Sequence, residues 1–294
     1  MHLGAERVAV LGRNGVGKST LLELLAGSAQ PQRGTVVARV RPRLVRQDPS
    51  PIEAAAIARR WLRRSNVDPA FADALARELV DLQIFLDFAP VVDVDTNPHN
   101  PVIGDRSFGR EAARVARHAV AVIEGLQAGG VAACAKHFPG HGDTDVDSHL
   151  GLPRLPHALE RLREVELPPF AAAVEAGVAT IMTAHVVFEA IDPRRPATLS
   201  PDVMAILREQ LRYDGVVFSD DLEMKAVADH YSPEQLVLGS LEAGVDAVLV
   251  CRQADLRQEV LARLERAPDR QVERALERVV ALKRRYALGP QAAA

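Results

Sequence analysis

The sequence predicts an α/β protein dominated by a (β/α)8-type TIM barrel, incomplete or with its first strands replaced by a P-loop strand–helix–strand piece. Three observations predict it. Short apolar runs alternate with helical stretches, the runs show no in/out alternation, and polar residues collect at the carboxyl end of nearly every run. Apolar runs without alternation fit parallel strands covered on both faces, and repeated strand-then-helix order implies βαβ units. Polar strand ends favour the barrel over a doubly wound sheet, because a barrel carries its active site at that rim.

The elements follow in order. Val8-Ala9-Val10-Leu11, a glycine-rich turn and residues 20–26 read as strand, loop and helix, and a β-branched run follows at Thr35-Val36-Val37. Arginines crowd residues 39–46, Pro42 and Pro49 interrupt any long element, and residues 51–64 read as a helix. From Ala70 the style changes. A helix over 70–82 leads into the strand-like run 84–94. Further strands are expected at 131–138, 178–187, 215–220 and 247–251, and helices at 110–127, 157–175, 201–211, 233–243 and 255–286. Ser200-Pro201 and Ser232-Pro233 each pair an N-cap hydroxyl with a proline suited to the first helical position, and Gly129, Gly177 and Gly244 stand at helix ends. Two domains are expected, 1–65 and 66–294.

Composition narrows the class. The 294 residues are 48% hydrophobic, enough for a sizeable core, and the formal net charge of -3 points to neither nucleic acid nor an anionic membrane. Cys134 and Cys251 each lie in an apolar run and read as buried strand residues; two cysteines make neither a disulfide framework nor a four-thiolate zinc site, and no metal is expected. The first residues lack a secretory pattern and no apolar run reaches the ~18 residues needed to span a bilayer. The expectation is a soluble cytoplasmic protein acting on a small molecule. Oligomeric state is not legible.

Three polar clusters stand out. The longest, Lys136-His137-Phe138-Pro139-Gly140-His141-Gly142-Asp143-Thr144-Asp145-Val146-Asp147-Ser148-His149, starts at a strand end and holds more titratable groups than a turn needs. Ser219-Asp220-Asp221-Leu222-Glu223-Met224 ends another apolar strand, and the third runs from Asn97 to Gly109. Singly these residues have ordinary readings: Lys136 pairing with a carboxylate, His141 ordering its loop, His185 lining the site or satisfied in the core, Asp221 capping a helix.

Together, Lys136 to Thr144 with Asp147-Ser148-His149, Gly104-Asp105-Arg106-Ser107-Phe108-Gly109, and Ser219 to Met224 resemble the motifs of family 3 glycoside hydrolases. The resemblance is to the bacterial cytoplasmic β-N-acetylglucosaminidases of peptidoglycan recycling, over residues ~70–288. It implies retaining hydrolysis of a terminal β-N-acetylglucosamine without a cofactor. Asp220 matches the nucleophile, His149 the acid–base on a mobile loop, and Asp147 its orienting carboxylate; Arg106, Lys136 and His137 match sugar-binding residues. A carboxylate suits attack on an anomeric carbon, and an imidazole titrates near neutrality. In an extended segment Asp147 and His149, two apart, share a side while Ser148 points away. The family's Asp-Gln-Glu-Gly-Gly-Arg motif is missing.

The amino terminus follows another pattern. Gly12-Arg13-Asn14-Gly15-Val16-Gly17-Lys18-Ser19 matches Walker A between a strand and a helix, so Gly12, Asn14, Gly15, Gly17, Lys18, Ser19 and Thr20 form a candidate Mg-ATP site. With Gly34-Thr35-Val36 and Gln47-Asp48-Pro49 it resembles an ATP-binding cassette fragment, although the cassette's signature loop and Walker B strand are not found. Two arrangements accommodate both halves. In one, strands 8–11 and 35–38 pair into the open barrel edge; in the other, the chain is a broken fusion without a working enzyme.

Overall fold

The computed structural model describes residues 69–148 and 150–286. The expected strands at 8–11 and 35–38, the P-loop residues and His149 lie outside the described residues.

Helix α1 (Pro69–Asp81) leads into β1 (Leu86–Asp87), followed by α2 (Ala112–Ala128) and β2 (Ala132–Phe138). Next come β3 (Arg154–Leu155), α3 (Leu159–Arg161), α4 (Leu167–Glu175), β4 (Thr180–Thr183) and β5 (Val187–Phe188). The remainder comprises α5 (Pro201–Ala205), β6 (Val216–Asp221), α6 (Lys225–Ala228), α7 (Pro233–Ala243), β7 (Ala247–Leu249), α8 (Ala254–Leu264) and α9 (Asp269–Tyr286).

Five strands form one sheet in the order β1-β2-β4-β6-β7, every neighbour parallel, while β3 and β5 pair separately. All five expected strand regions contribute to the larger sheet, so the α/β class stands. Its main core gathers Val92, Phe138, Phe170, Ile181, Val203 and Val217 with the inner faces of α2 and α4. The register aligns Lys136 with Met182, Met182 with Phe218, and Phe218 with Ala247. Residues just beyond that row therefore share one rim.

Several expected elements are shorter than the sequence suggested, each for a backbone reason. In the run 84–94 only Leu86–Asp87 is strand, with an isolated bridge at Val91, because Pro90 has no N–H to give a ladder. The run 178–187 divides into β4 and the start of β5. The helix expected over 157–175 contains a π turn, Leu162–Glu166, just before Pro168 and Pro169, whose missing donors interrupt the i→i−4 pattern. The helix at 201–211 closes on a second π turn, Ile206–Gln210. The helix 255–286 becomes α8 and α9, parted next to Pro268.

Both serine caps form as expected. Ser200 Oγ accepts from Val203 N–H and Ser232 Oγ from Gln235 N–H, each at 3.3 Å. Gly244 takes the left-handed cap conformation, φ 104°. Gly129 does not (φ -82°); a β-carbon there would lie 2.3 Å from Ala76 Cβ, so close packing of α1 on α2 requires it. Cys134 is buried, but Cys251 is exposed, because β7 ends at Leu249 before reaching it.

Candidate active site

The site begins with an acid in an apolar run. Val92 and Val94 are buried in the core, and Asp93 between them is held inside with its side chain fully covered. Such a carboxylate must be hydrogen-bonded or neutral. Asp93 Oδ2 meets His137 Nδ1 at 2.8 Å, both its oxygens accept from His137 N–H at 3.2 Å, and Oδ1 accepts from His141 N–H at 2.7 Å. Burial alone would raise this carboxyl; the His137 and His141 interactions outweigh it and hold the group below its ordinary range. Because a carboxylate only accepts, His137 Nδ1 carries a proton, which fixes the ring with Nε2 turned toward β6.

Asp220 lies at the carboxyl end of β6 with its side chain 21% exposed, and its Oδ2 is 3.9 Å from His137 Nε2. Its Oδ1 accepts from Asp221 N–H at 2.8 Å. Burial pushes this carboxyl up, but His137, His185, the Asp221 N–H and Lys136 together pull it below the usual value. Asp220 is thus held as an anion beside Lys136, two imidazoles and the Asp221 N–H, partly open to solvent. Lys136 is pushed down by burial and by Arg106, with Asp220 and Asp87 acting the other way. Asp87, at the end of β1, is raised by burial against the opposing pull of Lys136. Arg106 sits in the 3-10 turn Gly104–Arg106, exposed, with Nη1 donating to Val102 O at 3.2 Å.

The loop after β2 is tied to the loop after β1. Asn100 Nδ2 donates to His141 O at 2.8 Å, Asn97 Nδ2 to Thr144 O at 3.1 Å, and Thr96 Oγ1 to Asp143 at 2.8 Å. His157 also bonds Asp143. The two loops touch so closely that a β-carbon on Gly142 would lie 1.9 Å from Val94 O. His141 orders this loop, as expected, through its ring as well as its backbone: Nδ1 meets Thr144 Oγ1 at 2.7 Å and Nε2 meets Ser148 Oγ at 3.2 Å.

The Asp147 segment is not extended. Leu150 N–H donates to Asp147 O at 2.8 Å and Gly151 N–H at 3.1 Å, closing a turn, the conformation short Asp and Ser side chains favour. His149 itself is outside the described residues, so its side chain is not placed against Asp147 or Asp220.

His185 is buried and satisfied, with Nδ1 2.8 Å from Thr198 Oγ1 and Nε2 donating to Asp221 O at 3.1 Å, and it also bears on the charge of Asp220. The reading of it as a satisfied core histidine therefore holds. Asp221 does not cap a helix as expected: its Oδ1 accepts from Glu223 N–H at 3.1 Å in an Asx turn, and the cap position of α6 falls to Met224. Glu223 was given no role in sequence. Its carboxylate accepts from Arg252 N–H at 2.7 Å and from Gln253 N–H, which ties the turn after β7 to the turn after Asp220. Asp93 was given no role in sequence; the signal that could have found it is a lone acid between two core valines, Val92 and Val94.

Arg106 from the loop after β1, Lys136 and His137 from the end of β2 and Asp220 from the end of β6 thus share one rim. Two surface clefts of about 540 and 720 Å³ lie elsewhere, lined by Asp214, Arg274 and Arg278 at the amino-terminal end of β6 and along α9.

Comparison with known proteins agrees with this geometry. The family described as "Glycosyl hydrolase family 3 N terminal domain" matches residues 54–282, and "ABC transporter" matches residues 4–74. Beta-hexosaminidase A of Pseudoalteromonas piscicida is 41% identical over 192 residues, 61% of this chain and 32% of that protein. A beta-hexosaminidase of Neisseria meningitidis serogroup C is 42% identical over 186 residues, 63% of this chain and 51% of the relative. The chain therefore spans about a third to a half of the length of these relatives. A family 3 β-N-acetylglucosaminidase structure from Paenibacillus superposes with TM-score 0.72 at 44% identity, covering 74% of this chain and 43% of that one. The β-N-acetylhexosaminidase of Beutenbergia cavernae gives 0.68 at 35%, covering 74% and 69%. Since the first match takes in most of the chain and every residue of the rim just described, the chain belongs to the family 3 glycosyl hydrolases, as their N-terminal domain.

Proposed function

We propose that the protein hydrolyses a terminal β-N-acetylglucosamine from a peptidoglycan-derived sugar in the cytoplasm, with retention at the anomeric carbon and with no cofactor for that step. The observation that carries this reading is the state of Asp220: an anionic carboxylate at a parallel-strand end, partly open, with Lys136, His137 and His185 around it. Its relatives' names supply the substrate class.

In the proposed reaction Asp220 attacks the anomeric carbon while the glycosidic bond breaks and His149, oriented by Asp147, gives its proton to the leaving oxygen. The neutral imidazole then takes a proton from water as the water oxygen displaces Asp220, and the starting protonation states return. Arg106, Lys136 and His137 hold the sugar hydroxyls. The five parallel strands of the described sheet support reading the fold as part of a (β/α)8-type barrel. The test is turnover of a chromogenic β-N-acetylglucosaminide by the full chain. Asp220→Asn should reduce it by at least about 10³-fold, the scale on which a covalent nucleophile matters. A variant that retains wild-type turnover would refute the assignment.

A second reading, binding of Mg-ATP at Gly12 to Thr20, is favoured by one observation, the ABC transporter match at residues 4–74.

A further inference from the structure

We propose that Ser148 is a positioning residue for acid–base catalysis, clamping the turn that carries Asp147 and His149 between the His141 imidazole and the start of α6. The inference rests on the hydrolase reading above.

Ser148 sits in an exposed loop yet is itself buried. Its neighbours Val146 and Leu150 are 38% and 73% exposed, whereas Ser148 is 1% exposed. A serine needs no burial for its own sake, and a covered hydroxyl needs a partner. It has one on each side of its peptide: Oγ lies 3.2 Å from His141 Nε2, and the carbonyl accepts from Ala226 N–H at 3.0 Å. The segment between the two proposed catalytic residues is thereby fixed to the loop after β2 and to the turn after the nucleophile's strand.

Hydrogen-bond accounting gives the direction. We assign the Thr144 Oγ1 proton to His141 O at 3.1 Å, an atom that can only accept, and in that arrangement Thr144 Oγ1 accepts from His141 Nδ1 at 2.7 Å. His141 Nδ1 therefore carries hydrogen. Burial, with His137 nearby, lowers the His141 imidazole to about 4, so the ring is neutral at working pH and Nε2 is the acceptor. Ser148 Oγ–H donates to it. His141 N–H is held by Asp93, Asp93 also holds His137, and His137 Nε2 stands 3.9 Å from Asp220. One hydrogen-bonded scaffold thus supports both the nucleophile's neighbour and the loop.

Ser148→Ala removes the donor and leaves the fold's other contacts in place. We expect kcat to fall about tenfold, the scale of one buried hydrogen bond, with KM nearly unchanged because the sugar is held by other side chains. Placed in a His149→Ala background, the same substitution should change kcat less than about twofold, since residues acting as a unit are not additive. A residue that merely stabilises the fold would lower kcat by the same factor in both backgrounds, which overturns the proposal. A second measurement does not depend on turnover. In 15N-histidine spectra of the full chain, His141 should show a protonated Nδ1 and a bare Nε2 from about pH 5.5 to 8, and the Nε2 resonance should move in Ser148→Ala. A ring protonated on Nε2, or an Nε2 signal indifferent to the substitution, sinks the clamp. Full activity in Asp220→Asn would instead refute the hydrolase reading and leave the spectra to decide the clamp.

Discussion

Replacing Asp93 with asparagine tests the centre of the scaffold. The wild-type carboxylate serves His137 N–H, His137 Nδ1–H and His141 N–H through two oxygens, with the side chain fully covered. Asparagine keeps the shape but has one oxygen, and its NH2 group must face a donor of His137 or His141. At least one buried donor then goes unmet and a charge-assisted bond is lost. Breaking a buried ionic contact by removing one partner costs about 3–5 kcal/mol, and the retained shape argues for the lower end, about 3 kcal/mol. For a unit of this size that is a drop in Tm of about 6–12 °C. The sign of the pH dependence follows from the lowered carboxyl. Its contribution is fully present above the unfolded value of about 3.9 and is lost as pH falls through the folded value. Thermal unfolding of both proteins should therefore differ by a constant margin from pH 6 to 8 and converge in acid below pH about 4. A margin under about 2 °C at pH 7, or one undiminished in acid, would refute the reasoning.

Three further outcomes are expected. Gly142→Ala puts a β-carbon 1.9 Å from Val94 O, which neither backbone can yield cheaply; turnover should fall at least about tenfold and Tm should drop, and unchanged values would mean the two loops are not packed as described. Arg208→Met removes a side chain that bonds Asp246 at 2.7 Å and donates to Tyr213 O, Gly215 O and Gly244 O, at the strand ends remote from Asp220. It should cost about 3 kcal/mol in urea unfolding while leaving KM unaltered, and a shifted KM would show that the remote end communicates with the site. If the P-loop binds nucleotide, Mg-ATP at about 100 Kd should stabilise the chain by about 2.7 kcal/mol, an effect lost in Lys18→Ala; no shift in the wild type would dismiss that reading.

What the sequence revealed of the fold was what depends on local chemistry. Buried parallel strands must be apolar, so the five strand regions stood out as runs such as Val216 and Val217 or Ile181 and Met182, all buried. Caps stood out because Ser200-Pro201 and Ser232-Pro233 each supply the hydroxyl and the proline that a first turn favours, and both hydroxyls accept from the N–H three residues on. Boundaries were less legible, because they are settled by partners. Val91 looks like the continuation of β1, but the ladder is interrupted at Pro90, which has no donor, and resumes only as an isolated bridge from Val91 to Lys136. The π turns at Leu162–Glu166 and Ile206–Gln210 depend on which carbonyl the next N–H reaches, which residue type does not announce.

The site divides in the same way, and for a reason that bears on its chemistry. Asp220, Lys136 and His137 were visible as polar residues ending apolar strands, and Arg106 only as part of a loop motif that resembles the family's. The residues that hold them were not visible, because a hydrogen-bond acceptor for buried N–H groups can be any carboxylate, hydroxyl or carbonyl. Asp93 serves His137 and His141 from 44 and 48 residues away, and the Ser148 carbonyl serves Ala226. Yet these partners determine what the visible residues can do. Burial pushes Asp220 and Asp93 toward their neutral forms, and in both cases imidazoles and backbone donors reverse the shift. The attack proposed for Asp220 requires that reversal, since a protonated carboxyl does not attack. For Asp93 it places a permanent anion behind His137, so that one ring nitrogen is committed inward and the other is left for the reacting side. The charge of Asp220 therefore depends partly on Asp93, which acts through His137.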